Sequence, residues 1–108
     1  MIEIVEHGTI HEIRLQRPPV NALDPGLLGA LVAALQAAPR NGARGIVLSG
    51  GGKVFSGGLD VPYLMAQDRD GLRACWSLFF EAERASARAA SKNSDQHARR
   101  PSRSWAIR

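Results

Sequence analysis

A short apolar run bounded by glycines, Gly45-Ile46-Val47-Leu48-Ser49, constrains this chain more than any other feature. It does not alternate, so it offers no face to water. That suits a strand buried on both faces, as in the middle of a layered α/β structure. A glycine cluster follows directly: Gly50, Gly51 and Gly52, then Gly57 and Gly58.

The flanking segments fit such an architecture. Ile2–Glu6 alternates, with Ile2, Ile4 and then Val5 apolar, and His7-Gly8 reads as a turn. Thr9–Leu15 alternates again, with Ile10, Ile13 and Leu15 as candidate inward residues, so the two runs predict a hairpin. Arg17-Pro18-Pro19 ends the second strand, because proline cannot donate to a ladder. Asp24-Pro25 is a helix start, an N-cap carboxylate followed by proline at the first helical position. Leu27, Leu28, Leu31, Leu35 and Ala38 recur at helical spacing and predict a helix over 25–38, closed by Pro39, Asn41 and Gly42. A turn of helix is expected at Pro62–Gln67. A long helix is expected from about Asp70 to Ala90, on the stripe Leu72, Cys75, Trp76, Phe79, Phe80 and Ala82. Its aromatics are expected in a core, or on a surface that more chain or another subunit covers.

At 108 residues the chain is one domain or part of one. Hydrophobic residues at 44% and charged residues at 22% fit a globular protein rather than a wholly disordered one. The net charge of +4 is misleading as a whole-chain figure. Residues 91–108 hold five of the 14 Lys/Arg (Lys92, Arg99, Arg100, Arg103, Arg108) and one of the 10 Asp/Glu (Asp95), so the excess lies there. Residues 1–90 are neutral, which argues against a nucleic-acid-binding face. The tail SKNSDQHARRPSRSWAIR lacks periodicity, holds only Trp105, Ala106 and Ile107 as an apolar cluster, and is expected to be disordered. No apolar run approaches a membrane span. The start MIEIVEHG lacks a basic region ahead of an apolar stretch, so no signal peptide is read and the default compartment is cytoplasmic. Cys75, the single cysteine, sits in the apolar stripe as a small hydrophobe. His7 and His11 lack the helix that would bring both to one metal.

The strand and glycine loop invite three chemistries. A Walker phosphate loop needs Ser/Thr after its lysine, but Val54 follows Lys53, and Val47 stands at the first glycine. A dinucleotide fingerprint fits Gly50 and Gly52, but Phe55 stands at the third glycine, where close helix packing requires one. The third reading is an oxyanion site. Gly57 and Gly58 let the main chain approach a ligand, and a backbone N–H just past them can bind charge developing on a carbonyl oxygen.

Three stretches in order favour the third reading. Arg17-Pro18-Pro19-Val20-Asn21-Ala22-Leu23 resembles the R-P-x-x-N-A-L motif of the enoyl-CoA hydratase/isomerase (crotonase) superfamily. Gly45–Gly50 resembles its strand ending in glycine, and Lys53–Asp60 (KVFSGGLD) resembles its F-[SC]-[AG]-G-x-D loop. The likeness runs over residues 1 to about 85, the N-terminal part of that family. It implies an α/β fold: a crotonase-like spiral of ββα units, here incomplete, with an acyl-CoA thioester between layers. It also implies that the Leu59 N–H is one oxyanion donor to the thioester oxygen. By the same likeness Gly57 and Gly58 line the pantetheine and adenine channel, and Ala22 and Leu23 flank the CoA entrance. Ser56 and Asp60 complete the substrate-contacting set, with Asp60 expected to brace the loop. No metal is implied, and coenzyme A enters as part of the substrate. Family members commonly form trimers or pairs of trimers.

The likeness also has a limit. The family continues with an apolar strand and a second glycine-rich loop, which carries the second donor, and the hydratases' catalytic glutamates lie there and beyond. Here Ser91-Lys92-Asn93-Ser94-Asp95-Gln96-His97 stands at that point. Glu81 and Glu83 do not match the catalytic positions and read as exposed helix charges. The expected organisation is a partial crotonase-like domain over 1–90 and a disordered basic tail over 91–108, from a truncated or frame-shifted product. Two functions follow: an acyl-CoA hydratase- or isomerase-type enzyme, or a non-catalytic fragment acting as a CoA-binding or assembly module. The uncovered stripe over 72–82 predicts self-association.

Overall fold

The computed structural model describes residues 1–91 and 104–107. β1 (Ile2–His7) and β2 (Ile10–Leu15) form an antiparallel hairpin in which His7 pairs with Ile10 and Ile2 with Leu15. Gly8 makes the turn at φ +66°, a left-handed conformation that glycine adopts without a Cβ clash. β3 (Gly45–Gly50) then lies parallel to β2, from Ile10 opposite Gly45 to Leu15 opposite Gly50. Parallel neighbours need a long crossover. Here it is α1 (Pro25–Ala37) and a 3₁₀ turn (Pro39–Asn41), closed by Gly42 at φ +92°. α2 (Val61–Met65) and α3 (Arg69–Ser91) follow.

α1 begins where the sequence puts it. Asp24 Oδ1 accepts from the Leu27 N–H at 2.9 Å, and Pro25 opens the first turn. The face of α1 with Leu31 and Leu35 packs on Ile13, Ile46 and Leu48 of the sheet and on Ala85 of α3. A second cluster joins Leu28 and Val32 of α1 to Ala82 of α3, with Leu23, Leu59, Leu78 and Phe79 against it. Burying an aliphatic side chain such as Ile13 or Leu28, which are 0% and 1% exposed, is worth about 1.5–3 kcal/mol.

The inward face of β2 differs from expectation at one position. Ile13 and Leu15 are buried, but Ile10 is 37% exposed and His11 is 3% exposed. The pleat decides this, because side chains two apart share a face and His11 has the parity of Ile13. β3 buries Ile46 and Leu48 toward the helices, but on the opposite face Ser49 is buried and Val47 only half-buried, so the expected burial on both faces is met in part. On that face Glu12 accepts from Ser49 Oγ at 2.6 Å and from Arg14 Nε at 3.1 Å, and Arg14 Nη1 reaches Glu3 at 2.9 Å. These bonds hold the Glu12 carboxyl down at about 2; the Ser49 hydroxyl is the largest cause, then Arg14 and His7.

α3 buries Cys75, Ala82 and Ala85, whereas Trp76 and Phe80, expected in a core or under a cover, are 42% and 47% exposed. The expected tail also needs correction at one place. Ser104–Ile107 forms β4, antiparallel to β3, with Leu48 opposite Trp105 and Ile46 opposite Ile107. The sheet order is β1-β2-β3-β4. The tail's single apolar cluster thus meets the otherwise open edge of an apolar strand. The rest of the expected disorder, over 92–103 and at 108, lies outside the described residues. Among the described residues, no helix is long and apolar enough to cross a membrane.

Candidate functional site

The loop after β3 returns along the segment between β2 and α1. Three main-chain bonds join them: Gly57 N–H to Val20 O at 2.8 Å, Leu23 N–H to Gly58 O at 2.8 Å, and Asp60 N–H to Leu23 O at 3.0 Å. Leu23 and Leu59 thereby form an isolated parallel bridge. In a parallel bridge the residue whose two neighbours make the bonds has its own N–H and C=O turned away from the partner strand. The Leu59 N–H therefore points away from Leu23. Among the described residues it has no acceptor, while the N–H groups of Gly57, Gly58 and Asp60 are all engaged.

Asn21 holds the loop from beneath. It is 1% exposed and sits at φ +54°, a left-handed conformation that asparagine tolerates better than most residues. Its Oδ1 accepts from the Arg17 N–H at 2.7 Å. Its Nδ2 faces three carbonyls: Phe55 at 3.0 Å, Gly51 at 3.3 Å and Val54 at 3.3 Å. Ser56 Oγ donates to the Asn21 carbonyl at 2.8 Å and accepts from the Gly58 N–H at 3.0 Å. The loop's path also needs Gly50, where a Cβ would collide with the Val54 carbonyl oxygen. Gly58, at φ +93°, has open space around a Cβ, so its requirement is one of backbone conformation alone.

Asp60 closes the loop and caps α2, its Oδ1 accepting from the Tyr63 N–H at 3.1 Å. Its Oδ2 lies 3.0 Å from Arg17 Nη2, which also reaches Asp24 Oδ2 at 3.4 Å. Arg17 Nη1 donates to the Ala22 carbonyl at 2.8 Å. One guanidinium therefore ties together the caps of α1 and α2. On α3, burial pushes the Cys75 thiol up, with the charges of Asp24 and Asp60 adding to it, so this thiol is not poised as a nucleophile.

Beside the loop lies a cleft of about 450 Å³, lined by Val20, Ala22, Gly57, Leu59 and Asp60 among others. A second, almost wholly apolar groove of about 310 Å³ runs between α1 and α3. Of the residues expected to contact substrate, Ala22, Gly57, Leu59 and Asp60 line the cleft, and Leu23 lines the apolar groove. Ser56 and Gly58 serve the loop's internal bonds. Sequence reasoning assigned no role to Arg17 or Asn21. The available signal was an Arg and an Asn four apart, just before a helix cap and around a proline pair, where an irregular turn must satisfy its polar groups.

A family model described as Enoyl-CoA hydratase/isomerase matches residues 5–87. No curated protein matches the sequence. Among solved structures, enoyl-CoA hydratase subunit I of Geobacillus kaustophilus is 35% identical, with a TM-score of 0.64 over 77% of this chain and 33% of its own. DspI of Pseudomonas aeruginosa is 28% identical, with a TM-score of 0.72 over 78% of this chain and 33% of its own. Human mitochondrial delta3-delta2-enoyl-CoA isomerase, at 22% identity, shares the fold, with a TM-score of 0.71 over 75% of this chain and 33% of its own. The chain thus spans about a third of the length of these structures. The chain has the crotonase fold in its N-terminal part and belongs to the enoyl-CoA hydratase/isomerase family.

Proposed function

We propose that residues 1–90 bind an acyl-CoA thioester and polarise its carbonyl through the Leu59 N–H, as half of an oxyanion hole that stabilises a thioester enolate. The observation that carries this reading is the main-chain pattern at the loop. Leu59 alone among Gly57–Asp60 has an N–H with no acceptor among the described residues, and the bridge to Leu23 turns it outward. A single preorganised donor of this kind is worth roughly 3–4 kcal/mol when charge develops on the oxygen it faces. Coenzyme A is part of the substrate in this reading, and no separate cofactor takes part.

Proton transfer needs a group near neutrality at the reacting carbon. Asp60, the carboxylate lining the cleft, is committed to Arg17 and to the Tyr63 N–H. Residues 1–91 accordingly supply binding and polarisation, and the acid/base chemistry of a hydratase or isomerase comes from outside them. The 108-residue chain is expected to bind an acyl-CoA without turning over a 2-enoyl-CoA. That outcome is the one a CoA-binding module would give.

The test compares a short acyl-CoA with the thioether analogue that lacks the carbonyl, using the ¹⁵N-labelled 108-residue chain. The Leu59 amide resonance should move with the thioester and stay with the thioether. Equal shifts for both ligands, or none for either, would overturn the reading.

A further inference from the structure

Arg17 lines the cleft, and an arginine beside a CoA-binding cleft invites assignment to a phosphate. Its partners argue otherwise. Arg17 Nη2 lies 3.0 Å from Asp60 Oδ2 and 3.4 Å from Asp24 Oδ2, so one cation faces two carboxylates. That cluster carries a net charge of −1 and repels an anion.

The placement of these partners gives Arg17 a different role. Leu23 and Leu59 form the bridge that orients the Leu59 N–H. Arg17 holds the carbonyl of Ala22, the residue before Leu23, and the carboxylate of Asp24, the residue after it. It also holds the carboxylate of Asp60, the residue after Leu59. The backbone N–H of Arg17 is anchored in turn to the buried Asn21, whose amide holds the loop's carbonyls. Both flanks of the bridge on one strand, and one flank on the other, converge on a single planar fork. A fork with fixed donor directions sets orientation as well as distance, which a flexible ammonium does not.

We propose that Arg17 is the positioning residue for the Leu59 N–H. It fixes the direction of that donor by clamping the Leu23–Leu59 bridge, and it makes no bond to the ligand. The inference rests on the proposed function for its consequence in binding, but the clamp itself has a readout without ligand.

The experiment uses the 108-residue chain and its Arg17→Gln and Arg17→Lys variants, with Asp60→Asn as a further variant. Asparagine at 60 still caps α2 but removes the charge partner, so it tests the clamp if Arg17→Gln fails to fold. Amide hydrogen exchange is read at Leu23 and Asp60, whose N–H groups make the bridge bonds. In Arg17→Gln and Asp60→Asn both should exchange faster by about tenfold, the order expected on losing a charge-assisted pair. The α1 amides and β2 amides should stay unchanged, and Arg17→Lys should recover the rates only in part. The Leu59 shift on adding the thioester should shrink in step, while affinity for the thioether stays constant. Unchanged exchange at Leu23 and Asp60 in folded variants, or a uniform rise across the whole chain, would overturn the positioning role. Bridge-specific exchange in the variants, with thioester and thioether indistinguishable in the parent chain, would instead uphold the clamp and overturn the oxyanion reading.

Discussion

The Leu23 N–H donates to the Gly58 carbonyl and the Leu23 carbonyl accepts from the Asp60 N–H, so Leu23 grips Leu59 from both sides without bonding to it. This two-bond bridge joins segments more than thirty residues apart in sequence. It also carries the side chains of Leu23 and Leu59 into the cluster with Leu28, Val32 and Ala82. Packing and donor orientation are therefore set by the same contact.

Asn21 should be the least replaceable polar residue in the chain. Asn21→Asp keeps the size, the tolerance for φ +54° and the acceptor for the Arg17 N–H. It replaces the amide donor with a carboxylate facing the carbonyls of Gly51, Val54 and Phe55. A buried carboxylate with the Arg17 N–H as its one donor and its other oxygen against three carbonyls is costly, so a loss of about 3 kcal/mol or more is expected in urea unfolding. Asn21→Asp as stable as the parent would contradict this account of the loop.

Gly50 and Gly58 should respond differently to alanine. At Gly50 a Cβ would collide with the carbonyl oxygens of Val54 and Phe55, so main chain must move. At Gly58 there is room, and the cost is the φ of +93° alone, about 1–2 kcal/mol. Thermal denaturation should show Gly50→Ala as the more damaging change by a clear margin. The reverse order would mean that the loop does not pack on the end of β3 as described.

How far the sequence revealed these features depended on the range of the interaction. Asp24-Pro25 marked the start of α1 because capping is local, and the glycine-bounded run marked β3 because its composition is self-contained. The loop was legible as a candidate oxyanion site through its resemblance to a family motif, and Leu59 through that motif. Arg17 was not, since its partners at 24 and 60 are brought together only by the crossover and the loop. The parity of β2 was misread at Ile10 because an isoleucine next to a histidine outweighed the pleat. Trp76 and Phe80 belong to the same apolar stripe as Cys75 and Phe79, yet both are exposed, and the spacing alone does not say which part of a wide stripe finds a cover. β4 depends on an edge that no local pattern announces.

The exposed aromatics lead to a prediction about association. Trp76 meets Phe79 edge-to-face and Phe80 at a tilt, with ring centroids 5.8 Å away in each case, and Phe79 meets Phe80 at 5.9 Å. This is a contiguous apolar patch, and patches of this kind drive contact with other surfaces. The double variant Trp76→Ser, Phe80→Ser should lower concentration-dependent self-association in sedimentation velocity. Stability should fall only slightly, because both side chains are already close to half exposed. A parent chain that sediments as a monomer at all concentrations would remove the basis for this expectation.

Glu12 predicts how the sheet responds to acid. Its folded-state carboxyl titrates at about 2, below the ordinary 4.5, with the Ser49 hydroxyl the largest cause, then Arg14 and His7. A depressed carboxylate adds stability that is complete above the unfolded value and vanishes as pH falls through the folded one. The Glu12 contribution should therefore be intact above pH 4.5 and disappear between pH 4.5 and about 2. Ser49→Ala removes the largest cause, so the folded carboxyl should rise toward its ordinary value and the acid slope should flatten over that window. The same variant should lose about 1 kcal/mol at neutral pH from the missing hydrogen bond. Urea unfolding across the acid range reads both effects, and a Ser49→Ala slope as steep as the parent's would show that Ser49 does not set the Glu12 carboxyl.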